Sequence, residues 1–178
     1  MSRALAIAAA LVVLAAALVA LVAVLSGRDD AGVPAAAQGP GTLEPDHGAR
    51  HLPPNEHAHL PPGALPTSGP HHPVPIRADR RPLSDDQILH ALELGDVVIA
   101  YAGRRPAPAL VRLQREVAGR FDPALAAAGQ AVVLVPRDTA GPATALAWRR
   151  LLRARSAADP ALRRFAEAWL GRGARRGS

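Results

Sequence analysis

The sequence predicts a small mixed α+β domain, or a small α/β domain, lying outside the cytoplasm behind an N-terminal transmembrane helix. Three observations lead to this prediction: an uncharged apolar run near the N-terminus, capped helical patterns, and two short β-branched runs between them. The chain has 178 residues and no cysteine. One domain of ordinary size therefore fits, and disulfides, iron–sulfur clusters and Cys-based zinc sites are excluded.

The N-terminal segment carries the membrane prediction. Residues 4–25 form a run of 22 residues without a charge or a proline, and as a helix this run spans about 33 Å, enough for a hydrocarbon core of about 30 Å. Arg3 precedes the run and Arg28 follows it, so we expect residues 1–3 in the cytoplasm and the rest outside, at the cell membrane. The alternative is a cleaved signal peptide, whose apolar region is usually shorter, about 7–15 residues.

Three further segments follow from composition. Residues 26–46 are rich in Gly and Pro and predict a flexible linker. Residues 47–171 are expected to form the folded domain, beginning with an arm rich in His and Pro. The tail, residues 172–178, contains Gly and Arg without apolar residues other than Ala174 and is expected to be disordered.

The first predicted helix covers residues 85–94. Ser84 and Gln87 have the spacing of a capping box, acidic residues occupy the first turn, and Gly95 follows as a stop signal.

The later elements are read from β-branched runs, apolar periodicity and caps. Asp159 followed by Pro160 is an N-cap with proline at the first helical position. The run at 143–152 is ambiguous between strand and helix, with Trp148 expected in the core. The predicted elements are a strand at 97–101, a helix at 108–120, a strand at 131–135 stopped by Pro136, and a helix at 160–170.

The basic charge is concentrated in the C-terminal half. The net charge is +6 and every basic residue is Arg; residues 104–178 contain fifteen Arg and five acids, which gives +10. No nucleic-acid-binding motif or aromatic interleaving accompanies this charge, so no nucleic-acid partner is expected. Anionic lipid, an acidic envelope polymer or an envelope protein could bind such a surface, although a solvated Arg-rich surface is the simpler interpretation.

All seven histidines lie between residues 47 and 90, which makes them the main polar signal of the chain. Neutral imidazole is a natural ligand for Zn(II) and Cu(II), and carboxylates can join it. Because His90 and Glu93 are three apart on a helix, they share a face, and Glu93 could orient His90 by a hydrogen bond. The spacing matches no specific metal motif, and solvated or turn-capping histidines are the alternative.

Several motifs together resemble the DUF3105 family, whose members look like membrane-anchored bacterial proteins of unknown function. The motifs are PTSGPH (66–71), ILHALELG (88–95), VVIAY (97–101), VVLVPR (132–137) and ALAW (145–148). Leu94 stands where the family pattern has a second histidine. If the family histidines form a site, the resemblance implies that His71 and His90 survive here and that one partner is missing.

We therefore expect a membrane-anchored extracytoplasmic domain that binds a divalent metal, Zn or Cu(II), through its histidines. The alternatives are a metal-assisted enzyme using His71, His90 and Glu93, and a module for envelope interaction or assembly. No catalytic residue is assigned, because nucleophile and nucleotide-binding motifs are missing from the sequence. The expected metal ligands are His71, His90 and Glu93, with His51, His57, His59 and His72 as secondary candidates.

Overall fold

In the computed structural model, residues 39–61, 63–138 and 141–174 are described, and they form a mixed α+β domain around a five-stranded sheet. The strands are β1 (Thr42–Leu43), β2 (Val97–Tyr101), β3 (Val132–Pro136), β4 (Ala143–Ala147) and β5 (Arg150–Ala154). The helices are α1 (Asp85–Leu94), α2 (Pro108–Ala118), α3 (Pro123–Ala127) and α4 (Pro160–Trp169).

The sheet has the strand order β1-β5-β4-β2-β3. β2 is parallel to β3, with Val97 opposite Val132, and it is antiparallel to β4. β4 and β5 form an antiparallel hairpin, and β1 pairs with the outer side of β5. The parallel pair requires a crossover, which α2 and α3 supply.

Helices cover both faces of the sheet. On one face, Ile99 of β2 belongs to a core cluster with Leu110 of α2 and Phe165 of α4. On the other face, Val98 belongs to a second cluster with Leu92 of α1 and with α3. Because successive side chains of a strand point to opposite faces, the uninterrupted apolar run of β2 is buried on both sides.

α1 begins and ends as the sequence predicts. The Ser84 side chain accepts a hydrogen bond from the Gln87 amide, and the Gln87 side chain accepts one from the Ser84 amide, which completes the capping box. Gly95 ends the helix in the left-handed conformation at φ 117°. A Cβ at this position would lie 2.9 Å from the carbonyl carbon of Gly171, so the close approach of the chain also requires glycine.

The ambiguous run at 143–152 is the hairpin of β4 and β5. Its two-residue turn consists of Trp148 and Arg149, and Arg149 has φ 57°. Such turns favour Asn and Gly, so Trp-Arg gave no turn signal in the sequence. Trp148, expected as a core anchor, is only partly buried at the edge of the α1-side core.

Other boundaries differ slightly from the prediction. α2 ends at Ala118 and α4 at Trp169, while β3 is shifted by one residue and includes Pro136. Proline is tolerated there because β3 is an edge strand. The short α3 was not predicted, although Asp122 followed by Pro123 repeats the start signal seen at α4.

Part of the predicted linker and part of the predicted tail pack on the domain. Thr42 and Leu43 form β1, and the Trp169 indole donates a hydrogen bond to the Pro40 carbonyl at 2.9 Å. At the other end, the Ala174 amide donates to the Glu93 carbonyl at 2.9 Å. Backbone pairing therefore holds residues 42–44, at the end of the predicted linker, and Ala174, in the predicted tail, against the domain.

The predicted transmembrane segment, residues 4–25, lies outside the described residues. Across the ranges given above, the helices are too short or too polar to cross a membrane.

Candidate metal centre

Two pieces of the N-terminal arm meet beside α1. The backbones at His51 and His71 form a parallel bridge, in which the Leu52 amide donates to the His71 carbonyl at 2.8 Å and the His71 amide donates to the Arg50 carbonyl at 3.1 Å. The bridge places two imidazoles, twenty residues apart in sequence, next to each other, with ring centroids separated by 5.3 Å.

α1 supplies the other two side chains. His90 and Glu93 are one turn apart on the same face of the helix, as their spacing predicts, and the Nδ1 of His90 lies 3.4 Å from the Oε2 of Glu93. The ring of His90 lies 5.9 Å from that of His51 and 5.7 Å from that of His71, centroid to centroid. The three imidazoles therefore form a nearly equilateral triangle.

The triangle surrounds a single carboxylate oxygen, Glu93 Oε2. The Nε2 of His51 lies 2.9 Å from this oxygen, and the Nε2 of His71 lies 3.2 Å from it. Four ligand atoms, one from each of His51, His71, His90 and Glu93, all lie within 4.8 Å of one another. Donors bound at about 2.0–2.2 Å to a tetrahedral Zn²⁺ are about 3.4 Å apart, so a modest contraction would bring this set to metal-binding geometry.

The hydrogen bond of His71 determines which of its ring nitrogens faces the Glu93 carboxylate. Its side chain is fully buried, and its Nδ1 donates a hydrogen bond to the Gly69 carbonyl oxygen at 3.0 Å. In the neutral ring the Nε2 then carries only a lone pair, and this lone pair faces a carboxylate oxygen. Among the described residues, neither His71 Nε2 nor His90 Nδ1 has a hydrogen-bond partner. A proton on these nitrogens, or a metal ion between them and the carboxylate, would satisfy the group.

The charge states of the α1 residues agree with a cation site. Burial lowers the pKa of His90 below its ordinary value and outweighs the neighbouring Glu93 carboxylate, which acts in the opposite direction. Burial alone would raise the pKa of Glu93, but its hydrogen bond to His51 and the nearby imidazoles lower that pKa below its ordinary value. At neutral pH the cluster thus presents a neutral His90 ring and an ionised carboxylate, the forms that bind metals.

Two other histidines of the arm belong to a different group, centred on Asp86 at the start of α1. This buried carboxylate accepts hydrogen bonds from the Ala58 and His72 amides at 2.8 Å each, and its Oδ2 lies 2.8 Å from His57 Nδ1. Burial would raise the pKa of Asp86, but the three hydrogen bonds lower it below its ordinary value. Asp86 therefore fastens the arm to α1, two helical turns before Glu93.

The fold thus places the seven expected ligands at different locations. His71, His90 and Glu93 converge, and His51 joins them from the secondary set. His57 and His72 lie at Asp86, and His59 is exposed. Ser68 of the PTSGPH motif is structural, because its hydroxyl donates to the Pro45 carbonyl and accepts from the His47 amide.

Sequence reasoning missed Asp96, which follows the stop glycine of α1. The residue is 1% exposed, and its Oδ1 accepts a hydrogen bond from the Ala131 amide at 2.8 Å. Burial raises its pKa to about 8, against the weaker effect of that hydrogen bond. An acidic residue directly before a fully apolar strand was the available signal.

The chain matches the family described as Protein of unknown function (DUF3105) over residues 62–177, more than half of its length. The chain belongs to this family. No curated protein and no solved structure matches it.

The matched region of this DUF3105 protein contains three of the four clustered residues: His71, His90 and Glu93. His51 precedes the matched region. The resemblance implied a site that lacks one histidine, because Leu94 occupies that position. In the structure the arm contributes the third imidazole, that of His51.

Proposed function

We propose that this DUF3105 domain binds one divalent transition-metal ion through His51, His71, His90 and Glu93. The observation that carries the proposal is the pair of buried nitrogens, His71 Nε2 and His90 Nδ1, which face one carboxylate oxygen without hydrogen-bond partners in the described part of the chain. A metal ion at their centre would accept all of these lone pairs at once.

The donor set favours Zn(II) or Cu(II). Three imidazoles and one carboxylate suit either ion, whereas Cu(I) prefers sulfur, and the chain has no cysteine and only the initial methionine. The carbonyl of Gly69 would hold the His71 ring in the correct tautomer, as such partners commonly do for ligating histidines. The His51 side chain is 49% exposed and would give the ion access to solvent.

The experiment is a titration of the full-length chain with Zn²⁺ and with Cu²⁺ in competition with a chelator of known affinity. We expect one ion per chain. The variants His71→Ala and His90→Ala should each weaken binding at least about tenfold, because each removes a ligand rather than an outer partner of one.

His59→Ala is the matched control, since His59 is an exposed histidine of the same arm outside the cluster. This variant should bind as tightly as the wild-type chain. Equal losses in all three variants, or unchanged binding in His71→Ala, would refute the proposed site. Circular dichroism of each variant separates loss of a ligand from loss of the fold.

We further propose that residues 4–25 anchor this domain in the cell membrane and place it outside the cytoplasm. The support is the length of the uncharged run and the position of Arg3 before it. The metal site would then face the extracytoplasmic medium.

A further inference from the structure

The last turn of α1 carries Glu93, and its backbone needs hydrogen-bond donors from outside the helix. The last four carbonyl groups of a helix have no partner within it. At the end of α1, the Gly95 amide donates to the carbonyls of Ala91 and Leu92. In the described part of the chain, no amide near it in sequence donates to the Glu93 carbonyl. That carbonyl therefore depends on a distant segment.

Residues 171–174, at the C-terminal end of the described chain, supply the donor. The Ala174 amide donates to the Glu93 carbonyl at 2.9 Å. The Gly171 amide donates to the Gly95 carbonyl, also at 2.9 Å. Two backbone hydrogen bonds thus tie this segment to the last turn of α1 and to the glycine that ends the helix.

Gly173 allows the two backbones to meet. A Cβ at this position would collide with the Glu93 carbonyl oxygen and would lie 2.8 Å from the Gly95 amide nitrogen. No positive φ requires glycine at 173, so the requirement comes from the close contact with α1. Similarly, a Cβ at Gly129 would collide with the Leu94 carbonyl oxygen. Two glycine-containing segments therefore pack directly on the backbone of this helix end.

We propose that residues 171–174 set the metal affinity of the centre, because they hold closed the helical turn that positions Glu93. This role rests on the metal site proposed above. His90 and Glu93 both lie in the C-terminal half of α1, so opening of the last turn would displace ligands. The apparent affinity then falls in proportion to the fraction of chains with a closed turn. By linkage, a bound metal ion favours the docked segment by the same factor.

Replacement of Ala174 by Pro removes the amide that donates to Glu93. In competition with a chelator of known Zn²⁺ affinity, we expect Ala174→Pro to bind Zn²⁺ about three- to tenfold more weakly than the wild-type chain, the effect of one ordinary hydrogen bond. Gly173→Ala should also weaken binding, because its methyl group would collide with Glu93. Ala174→Ser keeps the amide and is the matched control, which should bind as tightly as the wild-type chain.

Hydrogen exchange of the wild-type chain gives a readout that a purely structural role would leave unchanged. Zn²⁺ should slow exchange of the Ala174 amide by the same factor by which Ala174→Pro weakens Zn²⁺ binding. The Ala161 amide, which Asp159 holds at the start of α4, is the reference. Its exchange rate should be the same with and without Zn²⁺.

Equal Zn²⁺ affinities for the wild-type chain and Ala174→Pro would overturn this inference and leave the metal site standing. An equal loss of affinity in Ala174→Ser would overturn it as well, since that variant keeps the donor. So would exchange at Ala174 that Zn²⁺ does not slow. A wild-type chain that binds no Zn²⁺ would instead refute the metal site itself, and the role of residues 171–174 with it.

Discussion

His71 is held more completely than any other member of the cluster. Its ring is fully buried, its backbone pairs with the 50–52 segment, and its Nδ1 is fixed by the Gly69 carbonyl. The PTSGPH motif therefore fixes the orientation of the His71 ring so that its Nε2 faces Glu93. Sequence reasoning found His71, His90 and Glu93 from motif and helical spacing. It could not separate His51 from the other arm histidines, because that distinction depends on a backbone bridge between residues twenty positions apart.

Asp96 gives a prediction for the pH dependence of stability. Its pKa is about 8 in the folded chain, above the ordinary value of 3.8, so the folded state binds this proton more tightly than the unfolded state. The contribution of Asp96 to the free energy of unfolding should be greatest below about pH 4, fall as pH rises towards about 8, and stay constant above that. The slope from this one group should approach about 1.4 kcal/mol per pH unit.

Urea unfolding of the wild-type chain and of Asp96→Asn, measured between about pH 5 and about pH 9, checks this slope. Asn keeps the shape and an oxygen for the Ala131 amide but does not titrate. The stability difference between the two proteins should grow with pH in favour of the variant. Parallel curves would show that Asp96 is ionised in the folded protein over this pH range.

At the scale of elements, the centre depends on how the arm attaches to α1. Two carboxylates of α1, Asp86 and Glu93, bind the arm at positions seven residues apart, about two helical turns. Glu93 contacts the clustered histidines, and Asp86 binds His57, Ala58 and His72, which follow His51 and His71 along the arm. The geometry of His51 should therefore depend on Asp86, although Asp86 itself lies outside the cluster.

Replacing Asp86 by Ala tests this attachment by hydrogen exchange. The substitution removes the acceptor for the Ala58 and His72 amides, so exchange at both should accelerate about tenfold or more, the effect of losing hydrogen bonds to a charged group. Amides of β2, such as Ile99, should remain protected.

Glu56→Gln is the control for charge, because Glu56 is an exposed carboxylate of the same arm. Continued protection of Ala58 and His72 in Asp86→Ala would contradict the role of Asp86 as a clamp. Equal acceleration in β2 would mean that the substitution unfolds the whole domain.

The elements predicted well are those with local chemical signals. Neighbouring residues in the sequence are enough to specify the capping box at Ser84, the N-cap at Asp159 and the buried run of β2. The elements missed are those defined by partners. β1 has only two residues and exists through its pairing with β5, while the β4–β5 turn depends on a positive φ at Arg149.

At the scale of the whole molecule, we propose a metal-binding domain on a membrane tether. A topology experiment tests the tether: intact cells producing the chain with a C-terminal epitope are treated with an external protease. We expect the epitope to be lost and the material to fractionate with membranes, because residues 4–25 should remain in the bilayer.

A cytosolic reporter in the same cells must stay intact to show that the membrane is closed. An epitope that is protected until the cells are lysed would place the domain in the cytoplasm and refute the proposed orientation of the membrane anchor. A soluble fragment lacking the N-terminal run, recovered outside the cells, would instead identify that run as a cleaved signal peptide.

X-ray absorption spectroscopy of the full-length chain loaded with one equivalent of Zn²⁺ tests the central claim most directly. The four-residue cluster predicts nitrogen and oxygen ligands at about 2.0–2.1 Å from the zinc, supplied by three imidazoles and one carboxylate. The three imidazoles should add the scattering of their more distant ring atoms. His71→Ala should lower the imidazole count by one. A shell made mainly of water, or the same imidazole count in His71→Ala, would contradict a metal centre at this position.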